Sequence, residues 1–352
     1  MDRINNNRNS KKVNRKKYDD KGSKKIENNR NTKKVRKVKK KTSFFGSLIK
    51  KILLIILLVI ILFSVIFYLK VKENGGGIQG VLCTIFGQSV ENLEELEQVN
   101  ILLLGVSEDI TTNLTDTIIL CTYNPQSQTA AMLSIPRDTF VGKSTSTAKG
   151  SDKINALYSK GVEKTVSAVE NITDVEIDYY IVVNTNALIE IIDIIGGVEF
   201  DVPIDMKYDD PTQDLHIDLK AGKQLINGQK AEQLLRFRHN NDGSSYPAEY
   251  GDNDYGRMRT QRDFITATIK QSINIKNLFK ANTITKTIFK NIETNMKKED
   301  LYKYIPAVAN FNMENIVSEQ LPGESEKCNG LWFFLHNKTQ TKKVIETLGI
   351  KK

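Results

Sequence analysis

Histidine and cysteine are scarce in this chain, with three of each in 352 residues. His216, His239 and His336 fall in no Gly-x-Ser-x-Gly or Cys–His setting, so a hydrolytic triad has no support. Cys83, Cys121 and Cys328 form no Cys-x-x-Cys pair, which removes the usual thiolate metal sites. Cys121 lies in the apolar run "TIILCTYN" and reads as a small core residue; a Cys83–Cys328 bridge stays open. No G-x-x-x-x-G-K-[ST] is present, so a nucleotide P-loop is excluded. Arginine is scarce as well: beyond residue 69 there are six, against 25 lysines.

Charge is divided unevenly. Residues 1–51 hold 20 Lys+Arg against 4 Asp+Glu, and the remainder holds 31 against 38. A strongly basic head therefore precedes a mildly acidic body. Between them runs "ILLIILLVIILFSVIFYL", residues 52–69, without one charge. Eighteen residues at a rise of about 1.5 Å reach roughly 27 Å, close to the thickness of a bilayer's hydrocarbon. No small-residue cleavage site follows and the head is far longer than a signal peptide's basic region, so the run reads as an uncleaved anchor. The positive-inside bias keeps the head, residues 1–51, in the cytoplasm and places the body outside the membrane. With few apolar residues the head is expected to be disordered, its charge facing anionic lipid rather than nucleic acid.

Residues 70–98 read as a linker and a short helix, and 99–352 as one extracellular domain. "VNILLLGV" predicts a strand, and "DTIILCTYN" with "AAMLSIP" predicts a hairpin through "PQSQT". "GVEKTVSAVENIT" and "NALIEIIDIIGG" have helical spacing, "DYYIVVNT" is a buried strand, and "VEFDVPIDM" is an alternating strand. Helical patterns recur over 263–311, with "LYKYIPAVANF" among the clearest, before a late strand "NGLWFFLHN" and a closing helix "TQTKKVIETLG". The fold class expected is α/β (α+β): a mixed central sheet flanked by helices, preceded by one transmembrane helix.

Five of the six arginines, Arg236, Arg238, Arg257, Arg259 and Arg262, crowd into 27 residues. A guanidinium offers a planar fork that grips phosphate or carboxylate with two parallel hydrogen bonds, which an ammonium cannot do. The cluster reads either as oxyanion recognition or as structural bridges to Asp252, Asp254 and Asp263. Arg137, the sixth, follows a proline at a strand end, where ligands of α/β sheets usually sit, and it favours the first reading. Asp116, in "TNLTDTIIL", is a carboxylate before a strand, an ordinary turn or cap on its own; beside the arginines it suits magnesium, which keeps several waters and bridges to phosphate oxygens.

The succession "LLLGV", "TDTIIL", "LSIPRDTFV", "KINALY", "IDYYIVVN", "IIGGVEFDV", "LLRFRH" and "DYGRMRTQRDFI" closely resembles the LytR–CpsA–Psr family of the cell envelope. The motifs cover residues 99–275. The resemblance implies a phosphotransferase that takes an anionic glycopolymer from a polyprenyl-pyrophosphate carrier and joins it to a peptidoglycan hydroxyl, with Mg2+ at the pyrophosphate. It implies that Asp116 holds the metal and helps deprotonate the acceptor. It also implies that Arg137 and Arg257 act on the pyrophosphate in catalysis, with Arg236, Arg238, Arg259, Gln261 and Asp254 binding or orienting the substrate around them. Asp138 is expected to orient an arginine. The chain differs from the family where Ser107, Asp109 and Leu114 replace an aspartate and two arginines, and where Arg259 is displaced by one position. That leaves two other expectations, a non-catalytic binder of lipid-linked polymer and a polyprenyl-pyrophosphate hydrolase.

Overall fold

The computed structural model describes residues 44–109, 112–212, 215–251, 253–274, 277 and 280–351. Residues 1–43 of the basic head, and the expectation of disorder there, lie outside the described residues. The chain divides into two compact units, 1–59 and 60–352. Helix α1, Phe44–Glu73, contains among the described residues the one segment long and apolar enough to cross a membrane. Its side chains, Leu53, Leu58 and Phe63 among them, are exposed along its length. The helix is longer than the apolar run because the flanking lysines are good helix formers and continue it on both sides. Residues 70–98, read as a linker and a short helix, carry the short acidic helix α3, Val90–Glu94, and before it a second helix, α2, Gly77–Phe86. Ser89 caps α3 by accepting from Asn92 N at 3.3 Å, and Cys83 and Leu93 pack with Ala307.

The body is built on a six-stranded mixed sheet. Strands β1 (Val99–Asp109), β2 (Thr112–Asn124) and β3 (Thr129–Ser134) form an antiparallel meander. After helix α4 (Val162–Thr173), β4 (Tyr179–Asn184) returns parallel to β1 and runs straight into α5 (Thr185–Ile194). The β1–β2 register breaks in one place. Gly105 faces Thr117 and Val106 faces Thr115, so Asp116 is the extra residue of a β-bulge. A Cβ on Gly105 would lie 2.9 Å from Thr117 Cβ, so only glycine allows the strands this close beside the bulge. The alternating apolar residues Leu102, Leu104, Ile118, Leu120 and Leu133 enter one core with Val166 and Val169 of α4.

"VEFDVPIDM" is two strands rather than one. β5 (Val198–Val202) pairs with β8 (Gly222–Ile226), and β6 (Met206–Asp210) pairs with β7 (Leu215–Leu219). Pro203 falls between them, and a residue without an N–H ends the first ladder. These hairpins pack with α5, α6 (Gly228–Arg236) and α7 (Asn253–Ser272) around Val198, Ile217, Leu234, Phe237 and Phe264, a second core. The helical reading of 263–311 holds for α7 and for a helix at Ala281–Asn291. It misses β9 (Glu293–Thr294), an edge strand on β4, and Pro306, which separates helix Lys298–Tyr304 from a 3-10 turn at Ala307–Asn310. β10 (Ile316–Gln320) adds to the sheet parallel to β3, while β11 (Gly323–Cys328) and β12 (Leu331–His336) form a separate hairpin before the closing helix Lys338–Thr347. The three cysteines are free thiols, Cys83 and Cys328 buried in different clusters, so no bridge forms.

Candidate active site

Four elements deliver charge to one place. The bulge re-aims the Asp116 side chain, and Arg137 arrives from the turn that follows β3, where Asn155 N donates to Arg137 O at 3.1 Å. The two side chains form an ion pair. At the end of α6 the chain becomes extended, and Phe237 is fully buried in the second core. Its neighbours Arg236 and Arg238 therefore turn the other way, into a cleft. From α7, Asp254, Arg257, Met258, Gln261 and Ile265 follow helical spacing and all line cavities at the site.

Asp254 joins the two arginine segments. It accepts from Arg238 Nη2 at 2.7 Å and forms an ion pair with Arg257 Nη2 at 3.1 Å. Arg257 is 6% exposed. Burial pulls its guanidinium below the ordinary arginine value, Asp254 works against this, Arg238 and Arg137 lower it further, and Asp116 raises it. Burial likewise pulls Arg137 down, but Asp116, Asp254 and Asp138 outweigh that and leave it above the ordinary value. The guanidiniums of Arg137, Arg238 and Arg257 thus share one desolvated cluster with Asp116 and Asp254. The Nε atoms of Arg137, Arg257 and Arg262 are buried without a hydrogen-bond partner among the described residues. Arg236 is held by Glu232 at 2.9 Å. Gln261, 5% exposed, donates to Leu235 O at 3.2 Å and ties α7 to the end of α6.

The cluster is the shared wall of two cavities. On the β1–β4 side of β2 lies a cleft of about 460 Å³ whose walls include Leu103, Val106, Leu114, Val183, Leu188 and Leu235. On the β3 side a smaller cavity, about 100 Å³, is lined by Asp138, Tyr255, Ser325 and Phe334. Asp116, Thr117, Arg137, Arg257 and Gln261 line both. An apolar cleft ending in a desolvated cationic wall suits a ligand with a long hydrocarbon part and a phosphate or pyrophosphate head.

Two expected site residues make contacts other than those expected. Arg259 is two residues beyond Arg257, about 200° around the helix, so it leaves the cavity. It lies over the Tyr250 ring at 4.4 Å with Asp263 at 3.9 Å, an exposed surface arrangement, and its expected substrate contact is corrected accordingly. Asp138 accepts from Lys153 Nζ at 2.7 Å instead of orienting an arginine. Arg262 is structural: it donates to Ser134 Oγ at 2.9 Å and fastens α7 to the end of β3. Asn184, Thr185, Tyr208 and His239 also line the cleft, and Ser325 and Phe334 come from a segment that reads as scaffold. The one available signal was "VVNTNAL", a parallel strand entering a helix through an Asn cap, with Asn184 Oδ1 accepting from Ala187 N at 2.8 Å.

Among the described residues no group of three His, Cys, Asp or Glu is placed to hold a metal. The side chains of 107–113, which include Ser107 in place of the family's aspartate, lie outside the described residues. What is present fits magnesium of one kind: Asp116, with a third of its side chain open to the cavities, can hold an ion that completes its shell with phosphate oxygens and water. Leu114, where the resemblance leads one to expect arginine, is part of the apolar wall.

Comparison with known proteins places this architecture. The model of the LytR_cpsA_psr family matches residues 72–350. A Bacillus licheniformis protein named polyisoprenyl-teichoic acid–peptidoglycan teichoic acid transferase TagU is 30% identical over 251 residues, covering 70% of this chain and 75% of that one. Its Bacillus cereus namesake is 32% identical over 254 residues, covering 70% and 77%. The crystal structure of Bacillus subtilis TagV superposes with a TM-score of 0.60 at 28% identity, over 72% of this chain and 96% of that one.

Gly256 and the arginine geometry generate two expectations. A Cβ on Gly256 would meet Gly251 O at 2.2 Å and Tyr246 Cδ2 at 2.3 Å, so Gly256→Ala must displace α7; thermal unfolding of the full chain in detergent should begin several degrees lower, from a cost of about 1–3 kcal/mol. In calorimetric titrations with a short prenyl pyrophosphate, Arg257→Ala should lose at least tenfold in affinity, while Arg259→Ala stays within about twofold. Equal losses in the two variants would contradict the orientation of α7.

Proposed function

We propose, from the premise that this chain belongs to the LytR_cpsA_psr family, that it transfers an anionic glycopolymer of the teichoic acid class from a polyprenyl-pyrophosphate carrier to a hydroxyl of peptidoglycan. The observation that carries this reading is the arginine wall, Arg137, Arg236, Arg238 and Arg257, at the end of the apolar cleft. The printed names of the relatives support the same class of donor and acceptor.

The prenyl chain lies against Leu103, Val183 and Leu188, and the pyrophosphate meets Arg137, Arg236, Arg238 and Arg257. Asp254 holds Arg238 and Arg257 in register for it. The acceptor oxygen attacks the phosphorus that bears the polymer, forming the new P–O bond. The P–O bond to the carrier breaks, and prenyl phosphate leaves with the electron pair. The hydroxyl proton passes to the Asp116 carboxylate and from there to water. Asp116 pairs with Arg137 before substrate arrives, so the pyrophosphate draws Arg137 into a new partnership and frees the carboxylate. Asp116 would also hold Mg2+, which when bound neutralises charge on the pyrophosphate oxygens. Such a reaction asks for positioning and charge neutralisation more than for covalent help, which the arginines supply. The donor's own pyrophosphate supplies the driving force, so no ATP is needed outside the cell.

The apolar helix α1 holds the enzyme at the membrane where the carrier resides, with the basic head in the cytoplasm and residues 70–352 outside.

Transfer of labelled polymer from a prenyl-pyrophosphate donor to peptidoglycan by the full chain in detergent tests the proposal. Asp116→Asn should lower kcat by about 10²–10⁴, and chelation should stop turnover until magnesium is returned. Polymer released at full rate without acceptor would instead identify a hydrolase. Donor binding with no turnover under any metal would identify a binding protein.

A further inference from the structure

The chain has one tryptophan. Trp332 is 61% exposed on β12, an unusual place for the largest apolar side chain unless it meets something. Its surroundings connect it to the reaction centre. Alternation along β12 puts Trp332 and Phe334 on one face, and the register puts Ser325 opposite Phe334 and Lys327 opposite Trp332. Phe334 and Ser325 line the small cavity that has Asp116 and Arg137 in its wall. Trp332 and Lys327 therefore extend that cavity's floor outward by one strand repeat, about 7 Å. The hairpin's acidic side chains Glu324 and Glu326 alternate onto the opposite face.

The link is rigid. Phe334 N donates to Asp138 O at 2.9 Å, and Phe140 N donates to Phe334 O at 2.9 Å. β12 is thereby fastened to the segment that begins at Arg137. Lys153, bonded to Asp138, also lies 5.6 Å over the Phe333 ring and braces the hairpin from its other face.

We infer that Trp332, with Lys327 beside it, is the platform on which a pyranose ring of the acceptor glycan stacks. The inference rests on the transfer reaction proposed above, and in-line displacement fixes the side. If prenyl phosphate departs into the large cleft on the β1–β4 side of β2, the attacking oxygen must come from the opposite flank, where the small cavity lies. An indole face offers a flat apolar surface for the C–H face of a sugar, and Lys327 offers a cation for the carboxylates that accompany peptidoglycan sugars. The large cleft already accounts for the carrier, so the platform belongs to the acceptor.

Because Trp332 is the chain's only tryptophan, intrinsic fluorescence reports on it directly. The full chain in detergent is titrated with a soluble uncrosslinked peptidoglycan fragment, with chitotetraose, and with phosphatidylglycerol vesicles. A saturable change with either glycan is expected. In the transfer assay Trp332→Ala should raise the acceptor KM roughly tenfold, the size of one aromatic contact. Donor KM should hold, and Trp332→Tyr should recover most of the loss. An unchanged acceptor KM in Trp332→Ala overturns the platform and leaves the transfer reaction standing. So does a rise in donor KM alone, or fluorescence that answers to vesicles and not to glycan. A saturable glycan response in a protein that transfers nothing overturns the reaction instead.

Discussion

Desolvated positive charge dominates this structure. Arg257 is almost wholly buried, with Arg137 and Arg238 close enough to depress it further and Asp254 and Asp116 working against them. Removing an ion from water without full compensation costs several kcal/mol, so the surrounding fold must hold the cluster against its own repulsion. The same arrangement favours an incoming anion, which meets the guanidiniums of Arg137, Arg238 and Arg257 at the end of the cleft.

The supports for this strained cluster come from distant parts of the chain. Arg262 fastens α7 to Ser134 at the end of β3, Gly256 lets α7 close on the Tyr246–Gly251 turn, and Gln261 ties it to Leu235. The bulge opposite Gly105 delivers Asp116 from the middle of the sheet. Arg262 and Gly256 do not line the cavities, yet a shift in either would move the arginines. The edge-to-face contact of Phe237 with Tyr246 belongs to the same frame, because burying Phe237 is what turns its two arginine neighbours toward the cleft.

Much of this was legible in the sequence. Arg137 after a proline at a strand end, and Arg236 and Arg238 either side of an apolar residue, announce their directions through local geometry alone. Helical spacing from Arg257 already turns Arg259 away; counting Arg259 among the substrate contacts followed the family pattern instead of the helix. Other features have no local signal. The bulge at Asp116 is a matter of pairing between strands, and one residue of register decides it. The walls of the cleft, such as Leu103 and Val183, have the same composition as the core beside them. Arg262 and Arg257 are alike in sequence, and only the position of Ser134 assigns one to structure. The hairpin carrying Phe334 and Trp332 reaches the site through backbone hydrogen bonds to Asp138 and Phe140, which any sequence could make.

The central claim is that the cluster is built for a pyrophosphate at the end of a prenyl chain. It is tested most directly by calorimetric titration of the full chain in detergent with a short prenyl pyrophosphate, beside the prenyl alcohol of equal length. The account predicts that the pyrophosphate binds at least tenfold more tightly and that added salt weakens this preference only modestly, because the charges involved are buried. Equal affinity for the alcohol would mean that the arginines only balance their neighbouring carboxylates, and the cluster would revert to a structural role.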